Sequence, residues 1–297
     1  MSYKVVPLLV NMGFETAHLN GVVFMKLKTW MALVLSAALL APVLPADGAI
    51  EVQAEEPAQE RTELNFDTGW LYSNVDYSNG EAVNLNESDF ESVSVPHANK
   101  IIDRHSAEDF EADIGSYRFV SWYRRHFTLP ESYSGRNIMV EFEGVATIAE
   151  IYVNGNYVDT HEGAYTTFTV DISDYVYTDG RDNVLAVRVD STRQPELPPE
   201  GGNVDYCLFG GIVRDVTMII TDPVYVERTF VTTPGLEEGQ AVVRTQADIS
   251  NKLDEDKTYS VSAAVKDAEG NVVASASEEE TLTAGQETTV TVETEEI

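Results

Sequence analysis

The segment Gly201–Asp215 reads GGNVDYCLFGGIVRD: two glycine pairs bracket one aspartate, two aromatics and the only cysteine of the chain. Glycine permits positive φ and a close approach of backbone to another surface. A carboxylate accepts hydrogen bonds and donates none, so Asp205 in such a loop can serve a donor-bearing neighbour. The competing use of Asp205 is local, as an Asx turn that caps its own loop. Cys207 has no second cysteine to pair with and no His or CxxC partner at metal-ligand spacing. A carboxylate two residues away disfavours a reactive thiolate, so Cys207 reads as a small packed hydrophobe. The run Thr178–Asn183, TDGRDN, lacks the ligand spacing of a calcium loop and reads as a turn. No metal and no cofactor is expected.

Bulk charge narrows the partners of that loop. The 297 residues carry 50 acids and 19 Lys or Arg, a formal charge of −31. Such a surface repels phosphate backbones and anionic lipid, so no nucleic acid and no membrane beyond export is expected. Neutral polyols remain open. At 43% hydrophobic and 9% aromatic the chain has material for packed cores.

The elements that must hold the loop are strands. From Leu64 onward short alternating runs recur: Ile138–Glu143, Ala149–Val153, Tyr157–Glu162, Phe168–Ile172, Asn183–Asp190 and Val213–Thr221. Asn154-Gly155 stands between two of them, and a type I′ hairpin turn needs φ > 0 at both positions. Strands at this spacing predict an all-β fold, a jelly-roll sandwich over residues 64–223. After Thr221-Asp222-Pro223 the aromatics thin out and Ala, Val, Thr and Glu dominate. Five candidate strands, Val224–Thr233, Gln240–Ser250, Tyr259–Lys266, Val272–Ser277 and Thr288–Thr294, predict an immunoglobulin-like sandwich over 224–297. That fold uses about seven strands, so it is expected to be incomplete, with an unpaired edge.

The front of the chain reads as an address. Residues 25–54 begin with Lys26 and Lys28, continue through the apolar run Met31–Leu40 and end in small residues, the layout of a secretory signal. The apolar run is short for a membrane span. Residues 1–24 read as an upstream extension and 55–63 as an acidic linker. A secreted or extracytoplasmic location is expected.

Several motifs then occur in a familiar order: VSVPH (Val93–His97), SWYRRHF (Ser121–Phe127), VEFEGV (Val140–Val145), EIYVNGNYVDTHEGAYTTFTVDIS (Glu150–Ser173), NVLAVRVD (Asn183–Asp190) and LFGGIVRDVTMIITDP (Leu208–Pro223). Together they resemble the N-terminal sugar-binding domain of glycoside hydrolase family 2, over roughly Trp70 to Pro223, with the β-galactosidase type favoured. The second domain resembles the family's immunoglobulin-like domain by position. In these motifs Trp122, Tyr123 and Phe127 are expected to face the core, and Arg124 and Arg125 to pair with carboxylates. The resemblance implies that Asp205 matches a substrate-binding aspartate carried by a loop into a neighbouring catalytic barrel. Retaining hydrolysis uses two carboxylates about 5–5.5 Å apart, which the family places on a (β/α)₈ barrel of about 250 residues. No βαβα alternation occurs here, so no catalytic residue is expected in this chain. The partners implied are that missing barrel and a β-galactoside or related glycan. The alternatives are a free-standing secreted carbohydrate-binding module and an adhesion protein.

Overall fold

A computed structural model describes residues 4–12, 15–17, 61–101, 117–198, 208–236 and 241–296. The expected leader, residues 25–54, lies outside the described residues, and so does the loop holding Asp205 and Cys207. Two compact units emerge: Arg61–Tyr225, and Val226–Ile297 together with the N-terminal residues. Among the described residues the regular elements are strands and two 3₁₀ turns, with no α-helix. The fold is all-β, as the alternation predicts.

The first unit is a sandwich of two antiparallel sheets. The larger runs from edge to edge as Asn156–Glu162, Ile148–Val153, Asp182–Asp190, Val120–Thr128, Trp70–Ser73 and Glu91–Val93. The smaller runs as Phe168–Asp171, Asn137–Phe142, Val216–Thr221 and Thr62–Asn65. Side chains alternate across a strand, so each strand sends every second residue inward. Trp70, Tyr123, Phe142, Ile151, Val187 and Met218 meet in one core with little or no solvent exposure. The turn Asn154-Gly155 has φ of 51° and 81°, the positive pair its hairpin requires. Asn154 also locks the hairpin to its neighbours, donating from Nδ2 to Tyr175 O and to Asn183 Oδ1, each at 2.8 Å. The run expected as Val213–Thr221 starts later, at Val216, and a separate short strand, Gly211–Ile212, precedes it and pairs with Val145–Ala146.

Two expectations about the SWYRRHF motif need correction. Tyr123 and Phe127 face the core, but Trp122 does not join them. It is adjacent to Tyr123, so the pleat must send it to the other face. There it is 2% exposed, against Tyr152 at a ring distance of 5.9 Å, beneath the irregular segment 74–90. Arg124 meets a carboxylate as expected, its Nε donating to Glu87 Oε1 at 2.5 Å. Arg125 instead lies over the Phe66 ring, 3.2 Å from its centre, and donates to Thr68 O at 2.7 Å. Burial draws its pKa down to about 10, leaving it charged at neutral pH.

Segment 74–90 therefore straps the outer face of the larger sheet. Arg124 grips Glu87 and the carbonyls of Gly80 and Ala82. Arg188 bonds Asp76 at 3.1 Å and Glu150 at 2.8 Å. His126 lies between Glu87 (3.1 Å) and Asp182 (2.6 Å). Burial alone would lower the His126 pKa, but the hydrogen bonds and charges of Asp182 and Glu87 outweigh it and raise the value above the usual 6.5. A base with a raised folded-state pKa stabilises fully below its unfolded pKa, and the contribution fades as pH rises through the folded value. The stability difference between the wild type and His126→Gln is thus expected to be larger at pH 5.5 than at pH 9. Denaturation midpoints at the two pH values measure it, and a difference independent of pH refutes the ion pair.

In the second unit, Val224–Thr232, Arg244–Asn251 and Glu287–Glu293 form one sheet. Val272–Leu282 and Lys257–Lys266 form a hairpin whose loop is closed by Asp267 accepting from the Asn271 N–H at 2.8 Å. The burial of Lys257–Lys266 alternates, with Tyr259, Val261, Ala263 and Val265 inward. The other edge of that strand is occupied by Lys4–Met12, followed by Glu15–Ala17. The pairing slips between Val6 and Leu9, where Pro7 has no N–H to give to a ladder.

Candidate functional site

Within the first unit two stretches, residues 102–116 and 199–207, lie outside the described residues. The residues that root these segments are tied into one polar knot. Asn99 N donates to Gly210 O at 2.8 Å, and His97 N donates to Ile212 O at 2.7 Å. The Asn99 side chain donates from Nδ2 to Tyr117 O at 2.9 Å and to Ser191 Oγ at 3.3 Å. Ser191 Oγ in turn donates to Ala146 O at 2.6 Å. Residues near 99, 117, 146, 191 and 210 are thereby fixed to one another. Buried polar groups impose this kind of closure because an unpaired one is costly. Asn99 Oδ1 is the exception, buried and without a hydrogen-bond partner.

A second layer supports the knot. The Tyr72 hydroxyl donates to Asn99 O at 2.7 Å, and burial, reinforced by Glu91, raises its pKa to about 12. His97 Nδ1 lies 2.8 Å from the Tyr123 hydroxyl. Burial lowers the His97 pKa against the opposing charge of Glu91, so the ring is neutral at pH 7. Burial also holds Tyr123 well above the ordinary phenol range. The pair is thus a contact that burial biases toward its uncharged forms.

The knot carries the stem of the loop that contains Asp205. Leu208 is buried, and Gly210 and Gly211 follow with no room for a side chain. Asp205 itself falls outside the described residues. Sequence reasoning quoted His97 within VSVPH but gave it no role, and it passed over Asn99, Ser191 and Tyr72. Their partners lie 18 to 92 residues away, as in Asn99–Tyr117 and Asn99–Ser191. Among the described residues no group of three or more His, Cys, Asp or Glu could hold a metal ion.

The architecture and the motif order have a counterpart. The family described as glycosyl hydrolases family 2, sugar binding domain, matches residues 58–223. The chain belongs to glycosyl hydrolase family 2. A β-galactosidase of Thermoanaerobacter pseudethanolicus is 40% identical over 192 residues, 65% of this chain and 25% of that protein. A β-glucuronidase of Formosa agariphila is 26% identical over 260 residues, 80% of this chain and 26% of its own length. Among solved structures, a family 2 member from Bacteroides cellulosilyticus superposes with a TM-score of 0.66 at 31% identity, covering 78% of this chain and 31% of that one. The chain thus spans about a quarter of the curated relatives it matches. Within a family 2 protein the jelly-roll unit corresponds to the N-terminal sugar-binding domain.

Proposed function

We propose that this chain is the non-catalytic N-terminal portion of an exported glycoside hydrolase of the β-galactosidase type. Its jelly roll supports a catalytic barrel, and its Asp205 loop completes the sugar pocket. The observation that carries the reading is the family match over 58–223 in a chain about one quarter as long as its relatives. The glycan is a β-galactoside or a related β-glycoside, since the relatives are named β-galactosidase and β-glucuronidase. The polar knot agrees with this role. It has buried donors and acceptors that set a loop root, and burial lowers the pKa of its histidine and raises those of its tyrosines. Retaining hydrolysis needs a pair of carboxylates with separated roles, and the reading assigns that pair to the barrel.

The purified chain is expected to release no nitrophenol from nitrophenyl β-galactoside or β-glucuronide above the buffer rate. Turnover that disappears in Asp205→Ala overturns the reading. Export rests on the layout of residues 25–54, and N-terminal sequencing of extracytoplasmic protein checks it. A chain retained in the cytoplasm with Met1 or Met25 still in place refutes that part.

A further inference from the structure

The strap of residues 74–90 leaves the Tyr157 ring on the outer face of the larger sheet 53% exposed. Tyr157 belongs to the edge strand Asn156–Glu162 and stands directly across from Tyr152. The register slips between Tyr157 and Asp159, with Val158 as the extra residue. In a regular strand, residues three apart face opposite sides. The bulge cancels that rule, so Tyr157 and Thr160 meet on one face, their hydroxyl oxygens 2.9 Å apart. Val158 packs against the core instead.

The exposed ring is held from behind. Tyr152 meets it edge-on, ring centres 5.7 Å apart at 72°, and the buried Trp122 lies 5.9 Å from Tyr152. The Tyr152 hydroxyl donates to Glu150 at 2.7 Å, and Glu150 also accepts from Arg188 at 2.8 Å. The strap borders the same ring pair. A Cβ at Gly155 would lie 3.8 Å from both Glu81 O and Val83 Cγ2, and Val83 is itself 51% exposed. The Glu81 carboxylate is near enough to act on Tyr152: burial, then Glu150 and then Glu81 push the Tyr152 pKa up to about 12. A fixed ring, an apolar shoulder and a carboxylate therefore lie together at the Val153 end of Ile148–Val153, away from the knot at Ala146.

Two kinds of occupant compete for such a place. A protein strand could add to the edge, but the bulge breaks the ladder there, and Asp159 and Glu162 put charge on the same strand. A sugar fits better. A pyranose has an apolar C–H face that a tyrosine ring can cover, and hydroxyl donors at its rim that a carboxylate accepts. A ring already fixed loses little entropy on binding. Glu81 and the formal charge of −31 turn away anionic sugars. We propose that Tyr157, with Val83 and Glu81 beside it, is a surface platform for a neutral glycan chain. The ring stacks on one pyranose, and Glu81 accepts from its hydroxyls. This goes beyond the function proposed above and does not involve Asp205.

Calorimetry on the whole chain tests it, with cellotetraose, β-1,4-galactotetraose and β-1,4-mannotetraose as probes and tetragalacturonate as the acidic control. At least one neutral tetrasaccharide is expected to bind, about tenfold or more tightly than the control, which sets like charges face to face. Tyr157→Ala is expected to weaken that binding about tenfold, the effect of returning roughly 50 Å² of apolar contact to water. Tyr157→Phe keeps the ring, gives up only the contact with Thr160, and is expected to bind as the wild type does. Where the alanine variant melts early, Tyr157→Thr replaces it, a strand-forming residue without a ring. No binding of any neutral probe, equal or tighter binding of tetragalacturonate, or unaltered binding without the ring overturns the platform. Binding lost in Asp205→Ala but kept in Tyr157→Ala places the sugar at the other loop and overturns it as well. Each of these leaves the non-catalytic role standing, because that role fails only if the chain itself hydrolyses a glycoside.

Discussion

Replacing Arg124 by methionine is expected to destabilise the jelly-roll unit by about 3–5 kcal/mol, the cost of removing one partner from a buried ion pair. The Arg124 side chain has no solvent exposure, and that of Glu87 is 20% exposed. Three acceptors converge on the guanidinium: the Glu87 carboxylate and the carbonyls of Gly80 and Ala82. Methionine fills similar volume and supplies no donor, so the loss is electrostatic rather than a cavity. His126 would remain beside Glu87 at 3.1 Å but is itself 38% exposed, so it offsets only part of the loss. Trp70 and Trp122 both lie in this unit, so tryptophan fluorescence during urea unfolding reports on it. With a slope of about 2 kcal/mol per M, the midpoint should fall by roughly 1.5–2.5 M. A fall below about 0.5 M would mean that segment 74–90 is held by something other than its charges.

That strap also shows which features the sequence makes visible. Alternation located the strands to within a residue or two at Ile148–Val153, Asn156–Glu162 and Asp182–Asp190, because a strand's pattern is local. Asn154-Gly155 was legible for the same reason. The outer face of the larger sheet was not. Val120–Thr128 presents Trp122, Arg124 and His126 on one side, and such a mixed face reads equally well as solvated or covered. Only the tertiary pairing of Arg124 with residues 37 to 44 positions earlier decides that it is covered. The knot was hidden more deeply. Asn99 and Ser191 are ordinary polar residues in loops, and neither spacing nor composition signals that they meet across 92 residues. The mismatch over Trp122 has a simpler cause. A run of aromatics invites a core reading, yet adjacent residues in a strand cannot share a face.

Gly211→Ala is expected to cost about 2–4 kcal/mol and to loosen the stem of the Asp205 loop. Two separate effects add. The backbone at Gly211 has φ of +107°, a region that L-residues with a Cβ reach only under strain of about 1–3 kcal/mol. A Cβ there would also lie 2.5 Å from the Tyr123 hydroxyl, 2.6 Å from His97 O and 2.9 Å from Asn99 N. Two of these three are backbone atoms, in residues whose amides hold the knot: Asn99 N bonds Gly210 O, and His97 N bonds Ile212 O. They cannot rotate away as a flexible side chain would, so the strand Gly211–Ile212 must shift against Val145–Ala146. Gly135→Ala separates the two effects. Its φ is +75°, yet nothing lies within 4 Å of the added Cβ, so it should lose only the backbone part, about 1 kcal/mol. Hydrogen exchange then locates the damage. The Asn99 amide should exchange faster in Gly211→Ala and at the wild-type rate in Gly135→Ala. Equal losses in the two variants, with Asn99 equally protected in both, would show that the knot tolerates a displaced stem. It would then have no part in directing the loop.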